Sequence, residues 1–402
     1  MRRSSALLSL SLLLALPVRG EEKPAPVDWT FVYWMAYDND LQGAGPPILR
    51  MLKAAVTSPK VAVACWSDFR DREGMFRTVI RHGANPEVEA LDREGSAEEE
   101  TVAEALEWAR EHVPARRYAL VFLDHGGGLS EMCHDEHPGK RGGQKWLFLP
   151  HVADVIRAFR EKVRPEGSEV ELVFLQQCGK GALENYDCFR GATRYVMGSQ
   201  TVVGAPNRYY QAAISWAGEH PEAEGLALAK KITESETPDM FTTYTTVSTA
   251  ALEALPERLA PVLRPLLDLK TLRPPTGLVP CFDLATGAPP ALAQKLEAER
   301  FHDGLAWLEG LYAANALDRA PLAAFSSWLK QELVVSHRVS PRRVEEAGSW
   351  CGLSLYTPYT AKLLARYRKA YPIYERTELD ELHERLLPLT VPAGQRREEP
   401  KK

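Results

Sequence analysis

The chain has 402 residues, of which 45% are hydrophobic and 26% are charged, a composition typical of a globular protein with a large core. Its 49 Lys and Arg residues against 54 Asp and Glu residues give a formal net charge of −5, and no basic stripe with interleaved aromatic residues occurs. This balance excludes a largely disordered chain and argues against nucleic acid as a partner.

The first 20 residues have the features of a secretory signal peptide. Arg2 and Arg3 precede an apolar run from Ala6 to Val18, and small or polar residues follow. This run is shorter than the roughly 20 residues that span a bilayer, and no later segment is long and apolar enough to do so. We therefore expect cleavage after Gly20, a linker over residues 21–28, no stable membrane anchor, and a secreted or periplasmic mature protein.

Short apolar runs alternate with amphipathic stretches from Trp29 to Gln200, which predicts a mostly parallel sheet flanked by helices. The predicted strands are "WTFVYWMA", "KVAVACW", "YALVFLDHG", "VELVFLQQC" and "RYVMGSQ". Each run is continuous and rich in β-branched or aromatic residues, as in a strand that is buried on both faces. Two intervening stretches, residues 102–113 and 152–163, have apolar residues at helical spacing, and Ser96 with Glu99 forms a capping box before the first.

Two of the predicted strands end in residues that can carry chemistry. One ends in Asp124 and His125, followed by three glycines, and another ends in Cys178. Because the carboxyl ends of parallel strands lie at one edge of a sheet, these side chains face one another if the strands are neighbours. The separation, 178 − 125 = 53 residues, matches the caspase pattern, in which the histidine lies about 50 residues before the cysteine.

A nucleophilic cysteine explains these residue types. A thiol with a pKa of about 8.5 needs a nearby histidine or a helix N-terminus to form thiolate, and the segment after Cys178 is predicted to begin a helix. The amides of Gly126 and Cys178 would hold the oxyanion that forms on an attacked carbonyl group. A buried structural cysteine and an anion-binding glycine turn are the alternatives for each motif alone; the two motifs together favour a cysteine–histidine pair.

The other cysteines are too few for a disulfide scaffold. Cys65 and Cys281 lie in apolar runs and are expected to be buried, whereas Cys133, Cys188 or Cys351 could pair in an oxidising compartment. The segment 133–137, "CHDEH", contains metal-ligating residue types without a recurrent ligand spacing, so it predicts a solvated loop and no metal site.

In these motifs and in their order, the sequence resembles the clostripain-type cysteine peptidases of the caspase-like clan. The resemblance runs from about residue 29 to residue 375 and rests on "WTFVYWMAYDNDLQ", "LDHGGG", "VFLQQC", "VSTAALEALPERLAPVL", "CFDLATGA" and "WCGLSLYTP". It implies a caspase-like fold with a smaller C-terminal region.

The resemblance also implies the chemistry. His125 would be the general base or acid and Cys178 the nucleophile that forms a thioester acyl-enzyme on a polypeptide substrate. No cofactor is implied, calcium is suggested by the resemblance only, and no third catalytic acid is expected, so Asp124 would position its loop. Self-processing after a basic residue is suggested by the resemblance at Lys140, Arg141 or Lys145.

The sequence departs from the family where substrate specificity is set. Gln176 stands where relatives that cut after arginine or lysine have an aspartate, and Ser199, Gln200 and Thr201 stand where they have S-E-E. We therefore place Gln176, Ser199 and Gln200 in the substrate-binding site and do not expect basic specificity. An acidic preference would need an arginine in the pocket, and the nearest in sequence are Arg190, Arg194 and Arg208.

The predicted organisation is a catalytic domain over residues 29–254 and a C-terminal region over 255–375 that packs on it or completes it. A helical end and a disordered tail follow over 376–402. The function predicted is an exported cysteine endopeptidase. The alternatives are a catalytically inactive caspase-like binding module and a hydrolase of non-peptide amides or esters; the presence of both His125 and Cys178 favours an enzyme.

Overall fold

The computed structural model describes residues 24–138, 145–283, 299–358 and 360–390. In these residues, a main sheet has the strand order β13-β10-β9-β8-β5-β1-β2-β3-β4. Its strands are β1 Val27–Tyr37, β2 Val61–Phe69, β3 Phe76–Arg81, β4 Glu87–Ala90, β5 Ala115–Leu123, β8 Glu169–Gln176, β9 Tyr195–Gly198, β10 Thr243–Ser248 and β13 Val334–Val339. The remaining strands are β6 Glu131–His134, β7 Trp146–Phe148, β11 Phe282–Asp283, β12 Glu299–Asp303 and β14 Ser354–Pro358.

The centre of the main sheet is parallel, and its edges are antiparallel. Strand β1 pairs in parallel with β2 and β5, and β8 pairs in parallel with β5 and β9. The antiparallel pairs are β2 with β3, β3 with β4, β9 with β10, and β10 with β13. The predicted fold class, a mostly parallel sheet flanked by helices, is confirmed.

Helices cover both faces of this sheet. They are α1 Gly45–Ala55, α2 Glu99–His112, α3 Leu149–Val163, α4 Leu183–Cys188, α5 Tyr210–Glu219, α6 Gly225–Ser235, α7 Leu255–Leu267, α8 Gly304–Ala314, α9 Ala320–Trp328, α10 Val344–Ala347, α11 Ala361–Ala370, α12 Pro372–Arg376 and α13 Leu379–Thr390. Alternate residues of β1 belong to two different apolar clusters: Trp34 lies in a cluster with residues of α2 and α3, whereas Tyr33 lies in a cluster with residues of α1, α5 and α6. This alternation explains why the central strands read as continuous apolar runs.

The C-terminal region extends the main sheet. Strand β13 forms its edge next to β10, and the amide of Ser354 at the start of β14 donates to the carbonyl of Gly181, just after the cysteine strand. The domain boundary at residue 254 stays a prediction. The predicted signal peptide and the end of the predicted tail lie outside the described residues. None of the described helices is long and apolar enough to cross a bilayer.

The predicted capping box is wrong. Helix α2 begins at Glu99 after Glu98, without a side-chain cap. The hydroxyl of Ser96 donates instead to Asp135, at 3.4 Å, and the carboxylate of Glu99 accepts from the amide of Phe148. Both residues therefore connect α2 to the segment that follows the histidine strand.

Candidate active site

The two strands that end in the histidine and the cysteine are neighbours. Leu123, the last residue of β5, is paired with Gln176, the last residue of β8. His125 and Cys178 each lie two residues after this pair. The loops touch directly: a Cβ atom placed on Gly126 would lie 2.1 Å from the carbonyl oxygen of Cys178. A side chain at position 126 would push the loops apart, which explains the glycine after His125.

The thiol of Cys178 is half-buried against the next loop. Its Sγ atom lies 3.4 Å from the amide nitrogen of Val203 and 3.7 Å from the Val203 carbonyl oxygen. Burial raises the pKa of Cys178, whereas the Val203 amide and the charge of Lys180 lower it. The helix predicted in the segment after Cys178 is present as α4, but it begins at Leu183, five residues after the cysteine, so its first N–H groups do not directly follow the thiol.

The imidazole of His125 is held by a carboxylate that the sequence analysis did not assign. Its Nε2 atom lies 2.7 Å from Oδ1 of Asp40, in a short 3-10 helix after β1. This hydrogen bond lowers the pKa of Asp40. Because the ionised carboxylate can only accept, Nε2 of the neutral imidazole carries the hydrogen and Nδ1 keeps its lone pair. The arrangement leaves Nδ1 able to take a proton.

A second hydrogen-bond network holds the loop that follows β5 and carries His125, which we call the histidine loop. Asn39 donates through Nδ2 to Oδ1 of Asp124, at 2.9 Å, and to the carbonyl of His134, at 2.8 Å. The other carboxylate oxygen of Asp124 accepts from the amide of His134. Burial raises the pKa of Asp124 well above its usual value, although these donors lower it. Asp124 therefore contacts its own loop and β6, in agreement with a positioning role.

Two backbone N–H groups remain available between the loops. Gly126 is bridged to Met132 through the bonds on either side of it, from Gly127 to Glu131 and from Cys133 to His125. In the described part of the chain, neither the amide of Gly126 nor that of Cys178 donates to a backbone carbonyl. Backbone donors that lie beside a nucleophile and do not bind a backbone carbonyl are what an oxyanion requires.

Gln176 lies on the other side of Cys178 and is almost completely buried. Its Nε2 atom donates to Asn207 and, at 2.9 Å, to the hydroxyl of Tyr210, while its Oε1 atom accepts from Tyr209 at 2.7 Å. Asn207 donates in turn to Glu236, at 2.8 Å. Only 5% of Gln176 is exposed, so a substrate can reach its amide only after this network rearranges.

The other residues placed in the substrate site are inside the protein. Ser199 and Gln200 have no exposed surface; Ser199 contacts the Thr243 hydroxyl at 3.4 Å, and Gln200 donates to Asp303 at 3.0 Å. In this conformation of the protein, neither side chain is accessible to a substrate. They connect β9 to β10 and to the C-terminal region.

The arginines near the cysteine do not converge. Arg190 pairs with Glu253, and Arg194 pairs with Glu171 and Glu224. Arg208 is exposed, and its amide donates to Glu236 at 3.0 Å. No arginine-lined pocket for an acidic side chain is formed by these three residues.

The segment 133–137 is only partly the solvated loop that the sequence predicts. Cys133 and His134 belong to β6, and Cys133 and Asp135 are buried because β6 packs beneath the histidine loop. No three His, Cys, Asp or Glu residues of the described chain are grouped as metal ligands. All six cysteines are free.

Lys140 and Arg141, two of the predicted processing positions, lie outside the described residues. The third, Lys145, is exposed immediately before β7. The described residues on either side of this segment, Glu131–His134 and Trp146–Phe148, pair as an antiparallel hairpin.

Among the solved structures that match this fold are three of cysteine proteases. An inactive zymogen C11 protease from Parabacteroides distasonis is 19% identical, with a TM-score of 0.64 over 88% of this chain and 99% of that chain. A secreted C11 cysteine protease from Bacteroides thetaiotaomicron in complex with an irreversible peptide inhibitor is 14% identical, with a TM-score of 0.62 over 87% of this chain and 99% of that chain. A further structure of a secreted C11 cysteine protease from that organism, iotapain, is 14% identical, with a TM-score of 0.62 over 88% of this chain and 100% of that chain.

These matches confirm, at the level of the fold, the resemblance to clostripain-type peptidases. No protein-family model matches the sequence. A search of curated proteins also gives no match.

Proposed function

We propose that this chain, which has the fold of the C11 cysteine proteases, is a cysteine endopeptidase that uses His125 and Cys178. The observation that carries the proposal is the arrangement at the ends of two adjacent strands: Cys178 follows one, and His125 follows the other with its Nε2 atom bound to Asp40 at 2.7 Å. This arrangement supplies a nucleophile, a base and an orienting carboxylate at the edge where open sheets bind their ligands.

In the proposed reaction, Nδ1 of His125 takes the proton of the Cys178 thiol, and the thiolate attacks the carbonyl carbon of the scissile peptide bond. The amides of Gly126 and Cys178 hold the oxyanion. When the tetrahedral intermediate collapses, the C–N bond breaks, the amine leaves with the proton from His125, and a thioester to Cys178 remains. Water then attacks the thioester, with His125 as base, and releases the acid and the thiol.

The two alternatives are less well supported, the first by the site and the second by the comparisons. A binding module has no use for a half-buried thiol beside an oriented imidazole, because neither group is needed to fill the core. A hydrolase of non-peptide amides or esters would use the same groups. The neighbour that carries a peptide inhibitor favours a peptide substrate.

We also propose that the enzyme is exported, on the signal-like residues 1–20, and that it can cut itself in the segment between β6 and β7. Lys145 is exposed there, and Lys140 and Arg141 lie in the same segment. Cleavage at these positions would leave the strand pairing of β6 with β7 in place while releasing the connection between them.

The test compares the mature protein with Cys178→Ala and His125→Ala. Cys178→Ala should lower the cleavage of a peptide library by at least about 10³-fold, and His125→Ala by about 10²- to 10⁴-fold. The melting temperature should change little, since both residues lie in strand-end loops. Cleavage by Cys178→Ala at the wild-type rate would refute the assignment. Intact masses of the same samples show whether self-cleavage occurs and whether it depends on Cys178.

A further inference from the structure

A lysine lies buried directly behind the proposed nucleophile. Lys180 follows Cys178 by two residues and has no exposed surface. Its Nζ atom donates to the carbonyl oxygens of Gly128, at 2.6 Å, and of Gly127, at 3.3 Å. A Cβ atom on Gly126 would lie 2.9 Å from the Lys180 Cε atom, so the lysine stem passes beneath the glycine that follows His125.

The groups around this ammonium form a charged cluster. Glu131 on β6 accepts from the amide of Gly128 at 3.0 Å, and Glu299 on β12 accepts from the amide of Leu129 at 3.4 Å and from the hydroxyl of Tyr367 at 2.6 Å. Both carboxylates therefore bind the same loop as the lysine. Burying a lysine without such groups would be strongly unfavourable, so its burial at this position needs them.

The charge of Lys180 also interacts with two thiols. Burial lowers the pKa of Lys180 to about 8, and Glu131, Glu299, Cys178 and Cys133 raise it. The effect is mutual, since the charge of Lys180 lowers the pKa of Cys178, whereas Asp124 raises it.

We propose that Lys180 is a positioning residue of the active site: its buried ammonium holds the glycine loop 126–128 against the cysteine loop and favours the thiolate of Cys178. The inference rests on the proposed function and deepens it. Lys180 orients the Gly126 amide through the two carbonyls that follow it, and it supplies the positive charge that the helix N-terminus, displaced to Leu183, does not supply.

The experiment measures alkylation of Cys178 by iodoacetamide as a function of pH, with the modified peptide identified by mass. It uses Lys180→Gln, which keeps a donor for the glycine carbonyls but has no charge, Lys180→Arg, which keeps the charge, and Lys180→Met, which removes both. Lys162→Gln, at a lysine with a side chain 64% exposed on α3, is the matched control. Melting temperatures establish which variants are folded.

We expect Lys180→Gln to slow the alkylation of Cys178 about tenfold near pH 7, where Lys180 carries its charge, and to leave the rate unchanged well above pH 8, where the wild-type lysine has lost its proton. Lys180→Arg and Lys162→Gln should stay within about twofold of the wild type. If Lys180→Met does not fold, the Gln and Arg variants decide. A Lys180→Gln labelling rate equal to that of the wild type near pH 7 would overturn the inference.

The same substitutions in a His125→Ala background separate direct action from misplacement of the histidine. A charge that acts on the thiol still shifts the profile without His125, whereas a lysine that only holds the histidine loop has no further effect there. Loss of the shift in this background would overturn the electrostatic role. The readout needs no peptide cleavage: a shift in a protein that cleaves no peptide would refute the proposed function and support the role of Lys180.

Discussion

The two sides of Cys178 are built from different chemistry. The histidine side consists of Asp40, His125, Lys180, Glu131 and Glu299, in which charged groups surround the loop that follows β5. It is partly open, with 37% of the His125 side chain and 72% of the Asp40 side chain exposed. Charge and access therefore lie together where the proposed mechanism moves a proton.

The glutamine side consists of Gln176, Asn207, Tyr209, Tyr210 and Glu236. Neutral amides and phenols contact the cysteine strand there, and the one carboxylate lies behind Asn207. Each of these residues is at most 5% exposed. The difference is that charged groups contact the loop on the histidine side directly. On the glutamine side, where relatives are expected to bind a basic side chain, amides and phenols separate the cysteine strand from the one carboxylate, Glu236.

The largest expected effect concerns the residue before the scissile bond. We expect no preference for arginine or lysine, because a buried cation without an opposite charge costs several kcal/mol and Gln176 offers only an amide whose partners are already inside the protein. Loss of the opposing charge in a pocket lowers selectivity for a basic side chain by orders of magnitude. The measurement is kcat/KM for otherwise identical fluorogenic peptides ending in Arg, Gln and Asp.

Glu236 is the residue that could break this prediction. Glu131 and Asp135 lie on or beneath the loop that carries His125, whereas Glu236 reaches Gln176 through Asn207. A much higher kcat/KM for the Arg peptide than for the Gln and Asp peptides, lost in Glu236→Gln, would contradict the prediction. It would show that this carboxylate supplies the negative charge of the pocket. Glu234→Gln, at an exposed position near the end of α6 and two residues before Glu236, is the control.

A smaller effect is expected from Asp40. Asp40→Asn keeps an oxygen acceptor for Nε2 of His125 but removes the charge, and we expect kcat to fall about three- to tenfold at low salt with KM nearly unchanged. The effect is limited because both partners are solvated and screened. The difference between wild type and variant should shrink as ionic strength rises, whereas a purely structural loss would be independent of salt. Equal activity of the two proteins at low salt would contradict the orienting role.

The sequence predicts the pairing of His125 with Cys178 because both follow long apolar runs, and two such runs in a parallel sheet end at one edge. The residues that orient these two side chains are less evident from the sequence. Asp40 is 85 positions from His125, and its role depends on β1 lying beside β5, a strand order that hydrophobic runs do not specify. The D-N-D turn after the first strand is the signal that could have suggested it.

The buried partners are harder still to predict from the sequence. Glu299 reaches the histidine loop only because the C-terminal region folds back onto it, 170 positions from Leu129. The sequence places Ser199 and Gln200 in the substrate site by analogy with acidic residues of relatives, but their side chains are turned into the protein. A polar residue at a strand end can face either the site or the core, and only the packed structure distinguishes the two.

The smallest expected effect tests whether the histidine side keeps its charge at low pH. Burial raises the pKa of Glu299 to about 7 from a usual value of 4.5, although Lys180 and the Tyr367 hydroxyl lower it. Between these two values the folded protein holds a proton that the unfolded chain has lost, so the free energy of unfolding falls as pH rises from 4.5 to 7. In the wild type this decrease in the free energy of unfolding is at most about 3 kcal/mol. The side chain of the Glu299→Gln variant is neutral at every pH, so the variant does not show the decrease. Its melting temperature relative to the wild type should therefore increase by a few degrees from pH 4.5 to pH 7.5. A constant difference would mean that Glu299 stays ionised beside Lys180, and the histidine side would then carry a permanent ion pair.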